Sequence, residues 1–102
     1  MELIRIIRHL PGCDTNEEGE MLLSILIEAL SYHDKVEVSF EGIISASSSF
    51  VNSSFVPLLA MMSFDDIKRR VRVTRANPQI GDMIRRRITF EAHRSVLAGA
   101  AA

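Results

Sequence analysis

The chain has one cysteine, Cys13, among 102 residues. A lone thiol excludes a disulfide within the chain and suits a reducing, cytoplasmic setting. No apolar run approaches the ~20 residues of a membrane-spanning helix, so no membrane partner is expected. The opening MELIRIIRHLPG lacks the basic start and long apolar stretch of a secretory signal. Neither charge sign dominates: a net charge of -1 argues against a dedicated nucleic-acid binder. The phosphate loop GxxxxGK[ST], the GxGxxG turn, the GxSxG elbow and the HExxH helix motif are all missing, as is any Cys/His cluster at metal spacing. His9, His33 and His93 fall on separate elements and read as surface or element-end residues. Cys13, in a Pro-Gly loop, reads as an exposed thiol, but with no matched histidine it lacks the base that a nucleophile needs. No enzyme, no metal and no cofactor is therefore expected.

What is present is ordinary globular material: 47% hydrophobic and 25% charged residues, enough for one domain with a real core. That domain is read as residues 1–102, with a core over about 2–94 and a tail over 95–102. Charge is unevenly spread. Residues 1–50 carry three basic and nine acidic side chains, a balance of -6, whereas residues 51–102 carry nine basic and four acidic ones, a balance of +5. Such a polarised surface suits docking of a charged partner or a homodimer, and it equally suits helix faces that are simply solvated.

Periodicity places the elements. Glu2–Arg8 is β-branched and short, a strand stopped by Pro11-Gly12. Asp14, Thr15 or Asn16 can cap a helix over 17–32, and Thr15 with Glu18 three residues on fits a capping box; the helix stripe is Met21, Leu22, Ile25, Leu26, Ala29 and Leu30. Val36–Phe40 alternates as a second strand and turns at Glu41-Gly42. A second helix starts at Ser48 or Ser49 and is expected to bend at Pro57, the alternative being a restart near Ser53-Ser54 with Pro57 in the first turn. Ser63–Lys68 reads as a cap and helical turn, and Arg69–Thr74 as a third strand. Asn77-Pro78 opens a third long helix through Ile80, Met83, Ile84 and Ile88. Phe90–His93 either continues that helix or forms an edge strand, and Leu97–Ala102 reads as a frayed or helical tail. Strands alternating with helices imply parallel pairing through right-handed crossovers, an α/β layer.

The stretch Lys35–Ser63 organises this reading, because its buried strand delivers a cluster of hydroxyls to a helix start. Serines there cap free N–H groups. A phosphoserine in the same place would carry close to two negative charges, and could switch the docking of a partner on that helix end. Lys68, Arg69, Arg70, Arg72 and Arg75, with Arg85, Arg86 and Arg87, form a second candidate face for an acidic protein, a phosphate or RNA. No aromatics interleave them, so base stacking lacks support.

Val38-Ser39-Phe40-Glu41-Gly42-Ile43 followed by Ser48-Ser49-Phe50-Val51-Asn52, with Gly19-Glu20 and Ile27-Glu28-Ala29-Leu30 upstream, resembles the STAS domain shared by sulphate transporters and anti-sigma-factor antagonists. The likeness is closer to STAS-like relatives of unknown function and covers roughly residues 16–92. It implies a mainly parallel or mixed four-stranded sheet with helices packed on it. It implies a regulatory, non-catalytic protein-binding domain, whose partner is a histidine-kinase-like ATPase. The site it implies is Ser47, Ser48, Ser49 and Asn52. In the antagonists an Asp-Ser-Ser/Thr-Gly motif stands at this corner and its first hydroxyl is phosphorylated. Here Ser47 replaces the Asp, Ser48 holds the acceptor position and Phe50 replaces the Gly, while Ser39 replaces the family's strand Asp. The alternative is a small phosphate- or nucleotide-binding domain built from the same corner and the nearby arginines.

Overall fold

A computed structural model describes residues 1–101, with side chains over residues 1–94. Three strands form the sheet: β1 (Glu2–Arg5), β2 (Val36–Ser39) and β3 (Val71–Thr74), all parallel and in the order β1-β2-β3. Four α-helices accompany them: α1 (Asn16–Tyr32), α2 (Ser48–Ser54), α3 (Phe64–Arg70) and α4 (Pro78–Ala101). Ala102 lies outside the described residues, so the expected tail is met only as the helical backbone up to Ala101.

The sheet has three strands, not the expected four. Phe90–His93, the one stretch open to an edge-strand reading, stays helical, because Ile80, Ile84, Ile88 and Ala92 keep a four-residue spacing and all are buried. β1 also stops earlier than expected. Its ladder ends where Arg5 pairs with Ser39, and Ile6–Arg8 tightens into a 3-10 turn. β3 starts later: Arg69 and Arg70 belong to the last turn of α3. The second helix does not bend but changes type. Pro57 has no N–H to give to Ser53 and its ring crowds that turn, so the α-helix ends at Ser54. The chain continues as a 3-10 segment, Val56–Ala60, with Pro57 at its start.

Register fixes the two faces of the sheet. Ile4, Val36, Val38 and Val71 are buried toward the helices, and Phe40, fully buried, stacks on Phe55 at 6.3 Å between ring centres. In the paired rows between them lie Leu3, Glu37 and Arg72, then Arg5, Ser39 and Thr74. Leu3, Arg5 and Arg72 are exposed. This is the arrangement expected when two right-handed crossovers in sequential order put their helices on one side. As the middle strand, β2 covers Ser39, whose exposure is 6%.

Candidate functional site

The start of α2 is held by the start of α1. Ser47 is the N-cap: its Oγ accepts from Phe50 N at 3.1 Å and donates to the Asp14 carbonyl at 2.7 Å, while its own N–H bonds to the Cys13 carbonyl at 2.9 Å. Ser53 Oγ donates to Asn16 Oδ1 at 2.9 Å. Buried Gly19 on α1 lets α2 come close, since a Cβ there would lie 2.6 Å from the Phe50 carbonyl oxygen and 2.7 Å from Ser53 Cβ. Phe50 turns its ring into the core and is fully buried. Ser54 Oγ satisfies itself on the Phe50 carbonyl at 2.7 Å.

The four expected site residues therefore separate into two groups. Ser47 is committed to capping. Ser48 and Ser49 are exposed on the first turn, and neither hydroxyl has a hydrogen-bond partner among the described residues. Asn52 is exposed one turn on, and its Oδ1 accepts from Arg87 Nε of α4 at 3.0 Å. Arg87 also reaches Glu91 at 3.4 Å. Two apolar side chains missed from the sequence flank the ends of the strands on this side: Ile7, 55% exposed after β1, and Ile44, 84% exposed on the way into α2. Gly42, with φ +84°, allows the turn after β2 to close on Ile7, as a Cβ there would meet Ile7 Cδ1 at 2.6 Å. Isolated exposed isoleucines carry no sequence signal; only the fold shows that they sit off the core.

Several members of the arginine run are engaged within the fold. Arg70 is drawn into structure: it donates to the carbonyls of Leu30, His33 and Asp34 at the end of α1, at 2.8–3.2 Å. Arg69 pairs with Asp34 and Asp66, and Arg85 with Asp82. Among the described residues no three of His, Cys, Asp and Glu converge as a metal site, and no helix is long and apolar enough to cross a membrane.

Cys13 is buried, not the exposed thiol expected of its Pro-Gly loop. Desolvation, with Glu18 and Asp14 adding negative charge nearby, pushes its thiol up to about 11, which leaves it a poor nucleophile. Glu18 completes the capping box of α1. Its Oε1 accepts from the N–H groups of Asp14 and Thr15 and from Thr15 Oγ1, and the Asp14 bond chiefly holds its carboxyl below the ordinary value. A lowered folded-state pKa gives stability that is present above the unfolded value of about 4.3 and lost as the pH falls through the lowered one. The stability gap between wild type and Glu18→Gln in urea denaturation should thus be widest near neutral pH and close below about pH 4. A gap unchanged down to pH 3 would mean that the carboxylate charge contributes nothing.

A model of the STAS-like domain of unknown function (DUF4325) matches residues 18–80, more than half of the chain. The chain belongs to this STAS-like family. The match runs from the first turn of α1 to the first turn of α4, so it contains Gly19 and all of α2, while Cys13, Asp14 and Asn16, which bond to Ser47 and Ser53, lie just before it. No curated protein and no solved structure matches the chain significantly. Ser39 Oγ accepts a hydrogen bond from Glu41 N at 3.3 Å, part of the turn that leads to the serine cluster.

Proposed function

We infer that this STAS-like domain is a non-catalytic regulatory module that docks a protein partner on the start of α2, and that phosphorylation of Ser48 switches the docking. The observation that carries this reading is the division of labour among the serines. Ser47 alone caps the helix, so the exposed hydroxyls of Ser48 and Ser49 are not needed to hold it. Exposed Ile44 adds apolar surface beside them. A partner seated there would bury Ser48, and a phosphate added to it would bring uncompensated charge into the interface. The resemblance to anti-sigma-factor antagonists names the kind of partner, a histidine-kinase-like ATPase. The phosphate- or nucleotide-binding alternative draws less support. Arg87, the arginine that bonds to this corner at Asn52, is already shared between Asn52 and Glu91.

The test is quantitative affinity purification from native extract with tagged wild type, Ser48→Asp, Ile44→Glu and, as a control, Arg86→Ala in α4. A protein retained by wild type and Arg86→Ala, and reduced at least tenfold by both corner variants, is the expected result. Equal recovery with Ser48→Asp would remove the switch. Equal recovery with both corner variants would remove the surface.

A further inference from the structure

We propose that the open edge of β3 takes up an extended acidic segment of another protein as a fourth strand. This surface is separate from the start of α2, and the argument for it does not depend on that site. β3 ends the sheet, with β2 on one side only. The Thr74 carbonyl accepts from Phe40 N at 2.9 Å, so Thr74 and Arg72 direct their main-chain groups at β2. By the alternation of a parallel ladder, Val73 directs its N–H and C=O to the open side. Among the described residues no strand pairs with β3 on that side.

Beside this edge runs a groove of about 890 Å³ between β3, α3 and α4. Its floor is apolar, formed by Phe55, Ile67, Ile84 and Ile88. Seven of its lining side chains are basic and one, Asp82, is acidic, with two of the seven, Arg69 and Arg70, already engaged with Asp34, Asp66 and the end of α1. The ion pairs that Lys68, Arg75 and Arg85 already make lie at 3.3–3.9 Å and are exposed, so a ligand can displace them at little cost. Arg72 has no ion-pair partner among the described residues.

An added strand has alternating faces. Side chains on the helix side would lie over Ile84 and Ile88, and those on the other side would lie beside Arg72. Alternating apolar and acidic residues meet both demands, with main-chain bonds to Val73 supplying affinity and the side chains supplying selectivity. The same charges reject other occupants. Two copies joined through their β3 edges would bring two basic rims together, and a neutral strand would leave the rim uncompensated. Nucleic acid would find phosphate contacts but little to stack on: Phe55 is fully buried, and Lys68 already lies over the Phe64 ring at 4.9 Å.

The probe is a soluble octapeptide alternating Glu and Val, titrated into the full chain and followed by amide NMR. Saturable shifts are expected at residues 71–76 and along the groove side of α4, together with slowed exchange of the Val73 amide. Arg72→Glu, an exposed change whose fold circular dichroism can verify, should weaken binding at least tenfold. A peptide with Lys in place of Glu should not bind, nor should one N-methylated at alternate residues on its pairing edge. The proposal is overturned if the acidic peptide fails to bind, or if the N-methylated peptide binds as well as the parent. It is also overturned if a single-stranded oligonucleotide of the same charge shifts these residues equally, which would make the groove a nucleic-acid contact.

Discussion

Gly19→Ala is expected to destabilise the domain by about 2–3 kcal/mol, while Gly81→Ala stabilises it by about 0.5–1 kcal/mol. Both glycines lie within helices, where Ala is intrinsically preferred. The difference is in what a methyl group would meet. At Gly81 there is nothing within 4 Å. At Gly19 the Phe50 carbonyl oxygen is 2.6 Å away and belongs to the backbone of α2, which cannot rotate aside as a side-chain tip can. To admit the methyl, α2 must retreat from α1, taking with it the Ser53–Asn16 bond and the Ser47 bonds to the loop before α1. Urea denaturation of the two variants measures the contrast. Equal signs for both would show that the two helices are not in such close contact.

Arg70→Ala should cost about 2–3 kcal/mol, the range expected when hydrogen bonds from a charged donor are lost at a half-buried site. α1 ends without a basic residue in its last turn, and the His33 N–H serves only the Ala29 carbonyl, so no local side-chain cation complements the carbonyls that follow. The Arg70 guanidinium does so from α3, bonding to Leu30, His33 and Asp34 at once. Its positive charge also meets the negative end of the helix dipole. Lys keeps the charge but not the planar fork, so Arg70→Lys should recover less than half of the loss. Arg86→Ala is the reference, an exposed change expected to stay within about 0.5 kcal/mol. A loss at Arg70 no larger than at Arg86 would contradict the capping role.

These two residues also mark what the sequence conceals. The stripe Met21, Leu22, Ile25, Leu26, Ala29 and Leu30 and the Thr15/Glu18 box were legible because both depend on spacing within one helix; the box and the buried Leu22, Leu26 and Leu30 appear where expected, whereas Met21 is 45% exposed. Ser47–Ser49 were legible as a helix start for the same reason. The end of β1 was not, since Ile6 and Ile7 favour a strand by type but β2 offers them no partner beyond Ser39. Strand length there is decided by the neighbour, not by the residues themselves. Arg70 looked like one more solvated cation until the fold brought it against a helix 40 residues earlier in sequence. Asn52 was read as part of the docking corner, and its bond to Arg87, 35 residues on, had no local signal. Gly19 could be read as part of a family pattern, but its physical reason, a backbone on the other side, belongs to no local signal.

The all-parallel order has a kinetic consequence. Glu2 pairs with Val36, and Val36 pairs with Val71, so both strand pairings close loops of more than thirty residues and no hairpin can seed the sheet. Folding must await long-range encounters, which makes it slow for a chain of this size. As the chain leaves the ribosome, β1 and β2 can join once α1 has formed between them, but β2 must then wait for β3 with one side unpaired. In that interval Val36 and Val38 offer a short apolar edge to any other nascent chain, an exposure that ends when β3 pairs with them.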